Sequence, residues 1–267
     1  SFKRIQCTSD LLPSDVTGNY IYDQRDASFN FRSGPVMANL VLVDEINRAS
    51  PRAQSAFLEA MEERQVSVDG ITHDLPSPFL LIATRNPYQH GGTFPLPETE
   101  LDRFLLRIEL DYPSADEELA MLKRQIPKSP IELLEQVAGL EEILEAQEAV
   151  KEIYVDPLIS QYAVAITSAT RVHPAIYMGA SPRSTLGLVS AAQANALFAG
   201  RDYTLPDDIK EIAIPTLAHR IMLMPESQGS TSEKEIINDI LSSIPVESNS
   251  PAAPTSGTTG DHTSQKS

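Results

Sequence analysis

Cysteine is nearly missing from this chain: Cys7 is the only one in 267 residues. That excludes an internal disulfide and a cysteine-built zinc site, and the ordinary reading of Cys7 is a small buried thiol. The five histidines, at 73, 90, 173, 219 and 262, form no pair at ligand spacing, so a histidine metal site is not expected. No apolar run approaches the roughly 18 residues needed to cross a membrane. Positive charge is scarce as well, with 21 Lys and Arg against 37 Asp and Glu and a formal net charge of −16. A nucleic-acid backbone asks for clustered Lys and Arg, so no nucleic-acid partner is expected. The acidic balance also argues against attraction to a membrane surface. The opening SFKRIQC is neither a signal nor a transit peptide. With Ser1 where a natural start has Met, a fragment or processed product is expected. Together these absences suit a reducing cytoplasm.

What is present is 41% hydrophobic residues, enough for one large domain or two smaller ones. Short apolar runs stand at Ile5–Cys7, Leu40–Val43, Leu80–Ala83 and Phe104–Leu110. Without clean alternation they predict strands covered on both faces, hence a parallel sheet with flanking helices. Ser50 as N-cap and Pro51 at the first helical position predict a helix with Ala53, Ala56, Phe57, Ala60 and Met61 on one face. Asp69-Gly70, between Val66/Val68 and Ile71, predicts a two-residue hairpin. From Pro113 onward the pattern is helical. Ser114 and Glu117 form a capping box, followed by Leu119, Leu122 and Ile126 on one face. Asp156-Pro157, Ser181-Pro182 and Pro206 open further helices, the last poorly capped because Leu205 offers no side-chain acceptor. Residues 115–156 hold eleven acids and four bases, which reads as a solvated helical face. The expected division is an α/β core over 1–113, a helical domain over 114–225 and a tail over 226–267. The tail carries a short helix near 233–245. From Ser248 its Ser, Thr, Pro, Gly and Ala composition cannot bury enough apolar surface to stay ordered.

Four positions invite a chemical reading. LVLVDEIN, residues 40–47, runs an apolar strand straight into Asp44 and Glu45. Ligands of parallel α/β sheets bind beyond the C-terminal strand ends. One carboxylate there can hold Mg²⁺ through its water shell and the next can orient a water for attack on a phosphate; two acids can also simply keep a turn soluble. IATRNP brings Asn86 to the same edge, where an amide can both donate and accept; Asn before Pro is also a common turn former. Arg103, in ELDRFLLRI, suits neutralisation of a transferring phosphoryl group, the plain alternative being an ion pair with Asp102 or Glu100. Arg183, at the second position of a helix, opposes the helix dipole, which invites a bound anion or merely an acidic neighbour.

With these residues in view, LVLVDEINRASPRAQSAFLEAMEERQVSVDG, IATRNP, GTFPLPETELDRFLLRI and GASPR resemble the MoxR family of AAA+ ATPases, and RIQCTSDLLPSDVTG resembles the segment after its phosphate-binding helix. The resemblance runs from Phe2 to about Val246. It implies an AAA+ P-loop NTPase core followed by an all-α lid. It implies ATP and Mg²⁺ as ligands, with Asp44 supporting the magnesium and Glu45 activating water. It further implies sensor 1 at Asn86, an arginine finger at Arg103 and sensor 2 at Arg183. GNYIYDQRDASFNFRSGP becomes an insert in the second helix and QVSVDGITHDL an insert before sensor 1. Members form ring-shaped homo-oligomers, often hexamers, and act as chaperone-like remodellers, often beside von Willebrand factor A domain proteins. Other AAA+ branches with similar inserts work on DNA, which the acidic balance here disfavours. Arg85 stands where the family often has Gln, and Cys7 where it often has Phe. No glycine here is followed by Lys, so Gly-x-x-x-x-Gly-Lys is absent. The Walker A unit is expected before Ser1, its strand lying between those that end at Asn86 and start at Phe104. One expectation is therefore an ATPase recorded without that segment, inactive as this stretch alone. The alternative is a non-hydrolysing assembly module that lends Arg103 to complete subunits.

Overall fold

Leu40–Asp44 forms the middle strand, β4, of a three-stranded parallel sheet between β1 (Phe2–Gln6) and β7 (Leu80–Ala83). The structure, a computed structural model, describes residues 1–86, 92–125, 134–227 and 229–246. Gln6 lies beside Asp44 and Val43 beside Ala83, so all three strands end at one rim. Side chains alternate across a strand. Ile5, Val41, Val43 and Leu81 therefore share the face that packs with Ala53, Ala56, Phe57 and Ala60. The expected two-sided cover is seen on that face only: Phe2, Leu80 and Ile82, of opposite parity, are about half exposed.

Helix α2 (Pro51–Glu63) begins as its sequence predicts, with Ala53 N–H donating to Ser50 Oγ at 3.4 Å. It ends at Arg64, in the left-handed region at φ 57°. The chain then enters β5 (Gln65–Val68) and β6 (Ile71–Asp74). Asp69 and Gly70 both take positive φ, the signature of the expected two-residue turn. Upstream, α1 (Pro13–Thr17) leads into a second hairpin, β2 (Gly18–Asp23) and β3 (Ser28–Ser33). Its base admits no side chain at Gly34, where a Cβ would sit 2.2 Å from the Val16 carbonyl oxygen. The two hairpins meet: Tyr20 Oη is 3.3 Å from His73 Nε2, and Phe31 stacks on the His73 ring at 3.8 Å.

Residues beyond the sheet are largely helical: α3 (Glu98–Leu101), α4 (Ala115–Gln125), α5 (Leu140–Glu152), α6 (Pro157–Val172), α7 (Pro182–Phe198), α8 (Pro206–Leu217) and α9 (Glu233–Ser243). A short antiparallel pair, β8 (Ile176–Met178) with β9 (Met222–Leu223), joins them. Ile166, Leu188, Ile209, Leu217 and Ile237 build the lid's own core, and α9 packs into it through Ile236, Ile237 and Ile240. Asp208 compensates for the missing cap at Leu205 by accepting from the Leu205 N–H at 2.7 Å. Ile126 and the tail from Ser248 lie outside the described residues. Among those described, no helix is long and apolar enough to cross a membrane.

One expected strand does not form. Phe104–Leu110 is irregular, with Leu105, Ile108 and Leu110 exposed. A strand needs a neighbour for its ladder, and this stretch instead gives its backbone groups to the lid. Arg107 N–H donates to the Pro215 carbonyl at 2.8 Å, and the Phe104 carbonyl accepts from His219 Nε2 at 2.8 Å and Arg220 Nη2 at 2.7 Å.

Candidate functional site: the acidic rim and the arginine pair

At the C-terminal rim, β4 runs into a sharp turn. Glu45 sits in the left-handed region at φ 54° and ψ 51°, a conformation that costs a non-glycine residue on the order of 1–3 kcal/mol and that the surroundings must hold. Thr84 holds it. Its Oγ1 accepts from the Glu45 N–H at 3.0 Å, and its carbonyl accepts from the Ile46 N–H at 3.0 Å. Buried Gln54 reaches back from α2, donating to the carbonyls of Ile46 at 3.1 Å and Phe94 at 2.9 Å. The bend turns Glu45 out of the strand, so two adjacent acids reach one cleft from different directions.

That cleft, of about 580 Å³, is lined by Asp44, Glu45 and Asn86 together with Arg4, Gln6 and Thr84. Asp44 accepts from Arg4 Nε at 2.6 Å and from Thr84 Oγ1 at 3.2 Å. Glu45 accepts from Arg48 Nη1 at 2.9 Å and Gln6 Nε2 at 3.4 Å. Cys7 is fully buried behind them, and burial, then the charges of Asp44 and Glu45, push its thiol up to about 11. It stays a thiol at neutral pH.

Among the described residues no three metal-type ligands cluster. A closed protein cage for a cation is thus not built here. Mg²⁺ does not ask for one, since it keeps several waters and takes one or two carboxylates plus substrate phosphate oxygens. Asp44 and Glu45, hard oxygen donors on an open cleft, fit that demand.

Arg103 and Arg183 are not in the lining of this cleft. They meet each other elsewhere, both paired with Glu62 in the last turn of α2. Arg103 therefore finds its acidic partner on α2, and neither Asp102 nor Glu100 supplies it. Asp102 faces the lid, accepting from Ser181 Oγ at 2.8 Å and Ser184 Oγ at 3.1 Å at the start of α7, with Arg220 Nε at 3.6 Å.

The sequence alone does not mark Thr84, Gln54, Glu62 or Arg220 as parts of either group, and it offers Asp102 only as an ion-pair partner of Arg103. Arg220 did leave a signal: a guanidinium within LAHRIML, where its neighbours Leu217, Ala218 and Ile221 are buried. A charge in such a run must find a partner, and Arg220 finds the Phe104 carbonyl and Asp102.

Beside it, His219 is 7% exposed and its Nδ1 has no partner among the described residues. With Nε2–H donating to Phe104, a second proton on Nδ1 would be unpaired. Burial, aided by Arg220 and Arg107, brings its pKa down from 6.5 to about 4. The unfolded chain therefore binds this proton first. Stability linked to His219 is complete above pH 6.5 and is lost as pH falls toward 4, by roughly 3 kcal/mol. Denaturant titrations at pH 7 and pH 4.5 should show this loss, and His219→Gln, which keeps a donor for Phe104, should flatten it.

The comparisons with known proteins agree with this architecture. Residues 1–106 match the ATPase family associated with various cellular activities, and residues 168–240 match the AAA lid domain. The chain is 50% identical over 246 residues to the uncharacterised protein YeaC of Bacillus subtilis, covering 92% of this chain and 77% of that one. It is 41% identical over 254 residues to the chaperone MoxR1 of Mycobacterium tuberculosis, covering 91% and 67%. A crystal structure of a candidate ATPase from Cytophaga hutchinsonii superposes with a TM-score of 0.86 at 37% identity, over 92% of this chain and 78% of that one. An AAA core, a lid and close kinship to a MoxR chaperone together mean that this chain belongs to the MoxR family of AAA+ ATPases.

Proposed function

We propose that this chain carries the catalytic acids and the lid of an ATPase that binds and hydrolyses ATP with Mg²⁺ to drive chaperone-like remodelling of partner proteins. The observation that carries the reading is the meeting of Asp44, Glu45 and Asn86 in one cleft at the C-terminal rim of a parallel sheet. Asp44, fixed in place by Arg4 and Thr84, would hold magnesium. Magnesium, when bound, neutralises phosphate charge. Glu45 orients the attacking water, and Asn86 bridges that water and a phosphate oxygen. Arg103, and Arg183 beside it on Glu62, supply positive charge to a transferring phosphoryl group. Lying apart from the cleft lining, Arg103 serves the nucleotide of a neighbouring copy in a ring, of the kind that is often hexameric in the family. Proteins with a von Willebrand factor A domain are the proposed partners, in the cytoplasm.

The phosphate-cradling Gly-Lys motif is not in these 267 residues, so the test uses the natural full-length protein. It should release phosphate from ATP in Mg²⁺ and stop on chelation with EDTA. The missing motif also favours one second reading, an assembly module that lends Arg103 to complete subunits. No turnover alone, but faster turnover in a mixture with a complete homologous subunit, would decide for that module.

A further inference from the structure

The last turn of α2 presents a single carboxylate to two guanidiniums. Glu62 Oε2 pairs with Arg103 from the core, and Oε1 pairs with Arg183 from the lid. Arg220 lies close enough for Arg183 to disfavour its charge, after the larger effect of burial, while Asp102 favours it. Three guanidiniums thus face two carboxylates, leaving one positive charge over. Without Glu62, Arg103 and Arg183 would repel each other with no shared counter-ion.

These groups are partly exposed, the side chains of Arg103, Glu62 and Arg183 at 36%, 29% and 47%. Pairs of that exposure add little to stability. What they fix is direction, since a carboxylate oxygen orients the planar fork of a guanidinium. The segment carrying Arg103 is also gripped by the lid. Asp102 binds Ser181 and Ser184, and the Phe104 carbonyl binds Arg220. Arg183 stands two residues after Ser181, so whatever moves the start of α7 moves both arginines' supports.

We propose that Glu62 is a positioning residue that holds Arg103 and Arg183 as one unit, so that displacement of the lid re-aims the core arginine toward a phosphate anion. The proposal rests on the reading of both arginines as phosphate-facing, and the surplus positive charge of the cluster is the chemistry that welcomes such an anion.

Glu62→Gln keeps the size and one acceptor oxygen while removing the charge. In the natural full-length protein it should lower kcat for ATP about tenfold, with KM changed less than about twofold, since the interaction it orients acts in the transition state. In an Arg103→Ala background, read by single-turnover assay, the same change should add clearly less, only what passes through Arg183. A merely structural residue would lower both backgrounds alike. A second measurement is independent of turnover: the guanidinium Nε–H resonance of Arg103 should shift on Arg183→Ala, and should no longer respond once Glu62 is replaced by Gln. Additive losses, or an Arg103 resonance blind to Arg183→Ala, overturn the proposal. Absence of any ATP turnover overturns the proposed function instead, and the resonance coupling then decides for or against Glu62 on its own.

Discussion

Glu45→Gln should reduce ATP turnover by about 10²–10⁴-fold, the usual contribution of a positioned general base, while nucleotide affinity and folding stay as they are. The substitution is chosen for what it keeps. An amide oxygen can still accept from Arg48 and Gln6, which hold the carboxylate at 2.9 and 3.4 Å. The left-handed turn depends on the Thr84 contacts to the backbone N–H groups of Glu45 and Ile46, which the side-chain change does not touch. What disappears is the charge that draws a proton from water. Two measurements check the expectation in the natural full-length protein: steady-state phosphate release, and equilibrium binding of a fluorescent ATP analogue. Unchanged turnover would remove Glu45 from its proposed role. A loss of binding equal to the loss of rate would show that the residue supports the site's shape and not its chemistry.

Arg103→Ala should cost more, about 10³–10⁵-fold in kcat, the range seen where a guanidinium stabilises a transferring phosphoryl group. Little stability should go with it, because its ion pair with Glu62 is partly exposed. The sharper expectation concerns mixtures. A copy with Arg103→Ala retains Glu45, and a copy with Glu45→Gln retains Arg103. If each cleft is completed by its neighbour's arginine, co-assembled rings of the two inactive variants regain turnover at the junctions where both intact residues meet. Mixed rings no more active than either variant alone would mean that Arg103 acts within its own chain or not at all.

Much of this was readable because local chemistry and long-range structure agreed. Leu40–Val43 is apolar enough to be a middle strand, so the acids that follow had to emerge at its end. Asp69-Gly70 carries its own turn geometry, and Ser50-Pro51 its own helix start. Phe104–Leu110 misled for a physical reason: an apolar run signals burial, but strand pairing is a property of two segments. Here the backbone of Phe104 and Arg107 bonds to the lid. Glu62 was invisible for the opposite reason. An acid on the polar face of an amphipathic helix looks solvated, and only the tertiary approach of Arg103 and Arg183, 41 and 121 residues away in sequence, gives it a task. Arg4 and Thr84 were hidden likewise, since one supports Asp44 from β1 and the other from just past β7, each 40 residues distant.

The His73 imidazole, stacked on Phe31 and within reach of the Tyr20 hydroxyl, ties the two inserted hairpins together. They branch from the chain roughly 40 residues apart, yet His73 fastens β6 to β2 and β3. β5 leaves α2 through a single residue, Arg64, whose guanidinium donates to the Phe79 carbonyl at 2.6 Å, and Gln54 of α2 donates to the Ile46 carbonyl next to the bend at Glu45, so an unbroken run of contacts leads from the hairpins to the acids.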